Sequence, residues 1–273
     1  MIASAWFAAL AALFLWWFST GAILIVVRRA EHRGGLAHLR ATIMALPFLG
    51  GGVWLFELTR HFDTVWASYL GFLSAVAIWG WVELAFLTGV VAGPNTTECH
   101  RVARGLERFL RAYGTIAYHE TLLVLILFAM LITSYQEPNT VGLWTFIVLF
   151  FARISAKLNL FLGVPKINVE FLPMPLAHLP SHFRIAKLNW LFPFSISALS
   201  FAVFCWVERL MTVSDPADRV GFALLSSMTA LALLEHWLMV LPVPDARLWR
   251  WMLPEPKPDS EDAEIRRKDL RGI

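Results

Sequence analysis

Cysteine and charge are both scarce in this chain. Only Cys99 and Cys205 occur in 273 residues, and two thiols cannot build a disulfide framework or a Cys-rich metal site. Charged residues make up 16% of the chain, where a soluble domain carries about 25%. Hydrophobic residues reach 58% and the mean hydropathy is +0.61. Together these values exclude a soluble enzyme, a disordered regulator and a fibrous chain. Internal repeats are absent too, so a transporter built from inverted repeats has no support. The pI is near 9.1, but the net charge is only +3, and the basic residues fall between apolar blocks. The expected partner is therefore membrane lipid and not nucleic acid.

What the chain has in abundance is apolar length. A helix crosses a bilayer core with roughly 20 mostly apolar residues, and seven blocks meet that measure: 3–27, 41–58, 65–93, 115–134, 138–161, 188–211 and 219–244. None alternates polar with apolar residues as a transmembrane β-strand would. Backbone groups in lipid must be satisfied within the segment. The expected fold is thus all-α, a polytopic bundle of about seven transmembrane helices. The first block has no basic residue before it and no clear small-residue cleavage site after it, so it reads as a retained helix.

The segments 28–40, 94–114, 162–187 and 245–273 carry four, four, three and seven Lys and Arg, eighteen of the 23. The positive-inside bias then places the N-terminus in the periplasm and the C-terminus in the cytoplasm, in a multi-pass protein of the inner membrane. The bundle is expected over 1–253. The tail 254–273, Pro-rich and then of mixed charge, is expected to be disordered. Within 99–113, Val102, Leu106, Phe109, Leu110 and Tyr113 recur at helical spacing while Arg101, Arg104, Arg108 and Arg111 take other faces. That pattern predicts an amphipathic helix on the membrane surface. Pro47 with Gly50, Gly51 and Gly52 should kink or loosen the second span, or let a neighbour pack closely.

A charged side chain at the bilayer centre costs about 2.5–3.5 kcal/mol on insertion scales, so each one needs a partner or a purpose. Glu83, His119, Glu120, Arg153, Lys157 and the Glu235-His236 doublet all fall in the cytoplasmic half of their blocks. By helical rise Glu83 lies roughly 15 Å from the inner end of its block. Arg153 and Lys157, four apart, share a helical face. One reading is a self-neutralising network, with Glu83 and Glu235 balanced by Arg153 and Lys157. Another is a metal centre such as iron, with His119, Glu120, Glu235 and His236 as ligands. Against it, adjacent residues point about 100° apart, and the Glu-x-x-His spacing of di-iron bundles does not occur. Glu57 and His61 form an i, i+4 pair at the outer face, too distant to share that site. A third use of His119 or His236 is axial ligation of a tetrapyrrole, with Tyr118 or Trp237 alongside. His178 and His182 are separated by Pro180, which argues against a regular ligand-bearing turn. A retinal protein is rejected, because the last span has no lysine for a Schiff base and Lys157 is the only lysine in any span.

The run from Arg153 to Pro173 adds a resemblance. Lys157-Leu158-Asn159, Phe161-Leu162-Gly163-Val164 and Glu170-Phe171-Leu172-Pro173 resemble the signature segment of the photosynthetic complex assembly protein 2 family of purple phototrophic bacteria. The length, the seven blocks and His119-Glu120 extend the likeness to most of the chain. The resemblance implies a membrane assembly factor for the reaction centre and light-harvesting complex, linked to bacteriochlorophyll supply or delivery. Its implied partners are reaction-centre and antenna subunits and other assembly or pigment-synthesis proteins. On that reading Glu83, His119, Glu120, Arg153, Lys157, Asn159 and His236 line a pocket for bacteriochlorophyll or a precursor. The segment after Gly163-Val164-Pro165, through Phe171, Leu172 and Leu176, is then expected to cap the pocket. The competing expectation is a membrane-embedded, metal-dependent oxidase or hydroxylase acting on a tetrapyrrole or lipid.

Overall fold

The computed structural model describes residues 2–100, 103–169 and 172–243; the tail 254–273 lies outside the described residues. In chain order the helices are α1 Ala5–Arg33, α2 Ala37–Met44, α3 Leu46–Thr59, α4 Val65–Leu87, α5 Gly105–Gly114, α6 Ala117–Thr133, α7 Val141–Leu162, α8 Leu191–Thr212 and α9 Pro216–Leu238. Among the described residues there is no named strand, only a single bridge between Val164 and Ile185. Among the described residues six segments are long and apolar enough to cross a membrane, α2 and α3 together forming one of them. A seventh is reached if α5 and α6, bent by 72°, are taken as one span. The chain is a multi-pass, all-helical membrane protein.

Local chemistry sets several helix ends. The Thr64 hydroxyl accepts from Ala67 N at 3.2 Å and starts α4. Asp215 accepts from Ala217 N and Asp218 N ahead of Pro216, a residue whose missing N–H costs nothing in a first turn. The second span breaks at Ala45, two residues before Pro47, where a proline removes an interior hydrogen bond. The third span stops at Leu87, six residues short of the 65–93 block. Beyond it the chain folds back, with Val91 N bonded to Ala85 O at 2.9 Å and His119 N bonded to Ala92 O at 3.0 Å. The stretch expected to be an amphipathic helix forms α5, beginning at Gly105, with Leu106, Phe109, Leu110 and Tyr113 exposed along it.

α4 and α9 form the centre: 56% of the most apolar stretch of each is buried, against 11% for α8, which rests on α9. One core joins Ala8 and Ala12 of α1 to Phe72, Val220 and Leu224. A second joins Phe56, Ile78, Val82, Leu123 and Phe146. Small residues let backbones approach, as expected where lipid supplies no hydrophobic drive. A Cβ on Gly142 would lie 2.8 Å from Gly71 O, and one on Gly52 3.0 Å from the Ile78 side chain. Gly52 is therefore a packing glycine, while Gly50 and Gly51 meet nothing within 4 Å.

The two ends of the bundle differ. The short-loop end is tied by Arg60, which donates to Glu57 at 2.8 Å, to Glu137 at 2.6 Å and to Thr133 O. Asn139 Nδ2 adds a bond to Thr59 O at 3.1 Å, and His61 pairs with Glu137 at 2.9 Å. The other, loop-rich end carries 88–116 and 163–190. There a Cβ on Gly93 would sit 2.1 Å from Gly114 O, beside the Asn95 N to Gly114 O bond of 3.0 Å. Overpacking of this kind costs about 1–3 kcal/mol. Gly93→Ala should therefore lower the melting temperature of the detergent-solubilised protein measurably, and Gly50→Ala should leave it unchanged.

Candidate site at the loop-rich end

Two cations on one face of α7 organise this end. Arg153 Nη2 donates to Glu83 Oε2 of α4 at 2.9 Å, and Lys157 Nζ donates to Glu120 Oε1 of α6 at 2.5 Å. Two acids and two bases cancel. His119 is fully buried beside them, with Nε2 4.0 Å from Glu83 Oε1, too far for a hydrogen bond. Both its ring nitrogens and Glu83 Oε1 lack partners. Phe86 packs its ring 4.5 Å from the His119 ring and 5.2 Å from Lys157 Nζ, a cation–π distance. Glu83, His119, Glu120, Arg153 and Lys157 thus meet, as the sequence suggested. They meet nearer the helix ends than the block lengths implied: Glu83 is four residues from the last residue of α4.

His236 and Asn159 lie elsewhere. His236 Nε2 is 2.8 Å from Ser155 Oγ and Nδ1 is 2.8 Å from Ala232 O, so both ring nitrogens are engaged. Asn159 Nδ2 donates to Ser155 O and Ser195 Oγ, each at 2.9 Å, and Asn159 Oδ1 accepts from Asn189 at 3.0 Å. Asn189 Oδ1 in turn accepts from Leu191 N and Phe192 N, starting α8. Ser155, Asn189 and Ser195 were not singled out from the sequence. Asn189 carried a signal, an Asx residue just ahead of an apolar run.

The proposed ligand set His119, Glu120, Glu235 and His236 does not assemble. His119 turns to Glu83, Glu120 to Lys157 and His236 to Ser155, while Glu235 lines a cavity walled also by Glu83 and Arg153. Among the described residues no three His, Cys, Asp or Glu side chains gather as a metal site would require. The reason is the helical step of about 100° between neighbours, which sends each member of a doublet to a different helix. These residues do not fit a di-iron-like centre.

The cavity has a volume of about 250 Å³ among α1, α4, α7 and α9, with Glu83, Arg153 and Glu235 on its walls. Pockets that enclose drug-sized ligands run from about 300 to 1,000 Å³. A tetrapyrrole macrocycle exceeds it, and His119 is sealed under Phe86, so this cavity does not enclose a whole pigment. The cap expected from the sequence is present in part: Leu176 and Leu179 are buried against Phe86 and Ala92. Phe171 lies outside the described residues. Arg108 of α5 holds the cap by donating to Phe161 O at 2.9 Å and His182 O at 3.0 Å, and His182 Nε2 bonds Thr97 O at 3.2 Å. Burial, and then the neighbouring His182, pull His178 below the ordinary histidine range.

Two outcomes follow. Lys157→Met leaves Glu120 buried without its cation, a loss of about 3–5 kcal/mol. Adding Glu120→Leu should restore most of it in denaturant unfolding in micelles. For His178, the unfolded chain takes up the proton more readily than the folded one, so its contribution is complete above about pH 6.5 and is lost as pH falls below that value. Protection of 174–182 against hydrogen exchange, corrected for the intrinsic pH dependence of the exchange chemistry, should fall between pH 7.5 and 5.5, and much less so in His178→Gln.

Residues 2–260 match the model of a family described as a protein of unknown function (DUF3623). A relative from Rhodobacter capsulatus, described as an uncharacterized 30.4 kDa protein in the puhA 5′ region, is 53% identical over 256 residues, covering 94% of this chain and 93% of its own length. No solved structure matches. With the match running through every described helix, the chain belongs to the DUF3623 family.

Proposed function

We propose that this protein is a membrane assembly factor for the photosynthetic reaction-centre and light-harvesting complex, working alongside bacteriochlorophyll supply. The observation that carries the reading is the 53% identity, over nearly the whole chain, to a protein of the puhA region, a photosynthesis gene region. The resemblance of the Arg153–Pro173 run supports the same assignment. The Lys and Arg bias supports a loop-rich end in the cytoplasm and an inner-membrane location. In this reading the Glu83–Arg153 and Glu120–Lys157 pairs, with Asn159 and His236 bonded inside the bundle, fix the arrangement of spans that partner subunits meet. Pigment passes along the protein's lipid-facing exterior, since the cavity among α1, α4, α7 and α9 is too small to enclose the ring.

The test is deletion and complementation in a purple phototrophic host. Loss of the gene should reduce assembled reaction-centre and antenna complexes several-fold, read from near-infrared absorption of membranes, and the wild-type gene should restore them. Affinity isolation of the tagged protein from solubilised membranes should bring down reaction-centre or antenna subunits. Unchanged complexes in the deletion strain would overturn the reading.

A further inference from the structure

We propose that the cavity among α1, α4, α7 and α9 binds the ammonium-bearing head of a zwitterionic membrane amphiphile. The inference rests on local chemistry and does not depend on the assembly role. Its first support is charge. Glu83 and Arg153 neutralise each other at 2.9 Å, but Glu235 adds a second acid to the same walls. The Glu235 carboxylate is within electrostatic range of both Arg153 and Glu83, and among the described residues no hydrogen bond or ion pair reaches it. An unmatched acid within a membrane span is expensive and marks a site for a partner.

The second support is the donor set. Arg153 gives Nη2 to Glu83, while its buried Nε has no partner and its side chain is 39% exposed. The wall therefore presents an unpaired carboxylate next to a guanidinium with donors to spare. A head with an ammonium and an adjacent anionic oxygen satisfies both. A carboxylate-only amphiphile would meet two acids, and an uncharged ester would leave Glu235 unmatched. Third, apart from Ser19 and Thr20, the remaining wall is apolar, with Ile23, Leu24, Leu149 and Leu231 among it, suited to the stem of a lipid. The cavity lies within membrane-spanning segments, so an occupant enters from lipid. Its volume of about 250 Å³ suits a small head.

Native mass spectrometry of the full chain in mixed micelles with phosphatidylethanolamine or phosphatidylglycerol tests this. Phosphatidylethanolamine should remain bound and phosphatidylglycerol should not. Glu235→Gln, which removes a charged hydrogen bond, should weaken retention about tenfold, and Ala156→Trp, which fills the cavity, should abolish it. Soluble phosphoethanolamine should not bind at matched concentration. Equal retention of the two lipids, no retention of either, an unaffected Glu235→Gln, or equal binding of soluble phosphoethanolamine would each overturn the proposal. The wild-type comparison of the two lipids decides the matter even if neither variant folds.

Discussion

Two cations placed four residues apart on a membrane-spanning helix constrain everything around them. Neither can face lipid without cost, so α7 must turn that face inward and find an acid for each. Arg153 takes Glu83 from α4 and Lys157 takes Glu120 from α6. The two acids come from different helices, so together they fix the rotation of α7 against both neighbours. Turning α7 by one residue, about 100°, would break both pairs. Apolar packing alone would not select one rotation so sharply, because lipid tails are as good a neighbour as leucine.

This constraint explains the asymmetry along the bundle. At the short-loop end helices approach through small residues and direct backbone contacts, including Ser68 Oγ to Ala217 O at 3.0 Å. The charged side chains of that end, Arg60, Glu57 and Glu137, pair with one another at the helix ends. At the other end long loops cover the charged pairs. The 163–190 segment supplies that cover, pressing Leu176 and Leu179 onto Phe86, which itself lies against His119 and near Lys157. The cost of burying charge is thus met by a lid of apolar side chains and by α5, whose Arg108 bonds the lid's backbone.

Much of this was legible in the sequence, for physical reasons. Apolar blocks of bilayer length become helices because lipid leaves backbone groups no other partner, and all seven blocks contain one. The charged residues were conspicuous because membranes make charge costly, and the spacing of Arg153 and Lys157 placed them on one face. The choice of acid for each base was not legible. The sequence reading set Glu83 and Glu235 against Arg153 and Lys157, whereas Lys157 pairs with Glu120 and leaves Glu235 outside both pairs. The end of α4 was overrun because 88–93 is apolar yet turns, at Gly89 with a φ of +75° packed under Pro175. Ser155, Asn189 and Ser195 passed unnoticed because hydroxyls and amides are cheap in spans and form no charge pattern.

The pairing also decides where chemistry or binding can occur. A group committed to a buried ion pair is unavailable to a substrate unless the pair is broken, and breaking it leaves a charge uncompensated. Glu83, Glu120 and Lys157 are committed in this way, Arg153 only through Nη2, and His236 has both nitrogens engaged. His119 is uncommitted but sealed. Among the described residues of this cluster, Glu235, with the spare donors of Arg153, combines an unpartnered acid with an open approach. The acidic and basic residues of this bundle therefore divide by accessibility. Those that face one another hold the helices in place, and the one acid left over is where a membrane-borne molecule can be recognised.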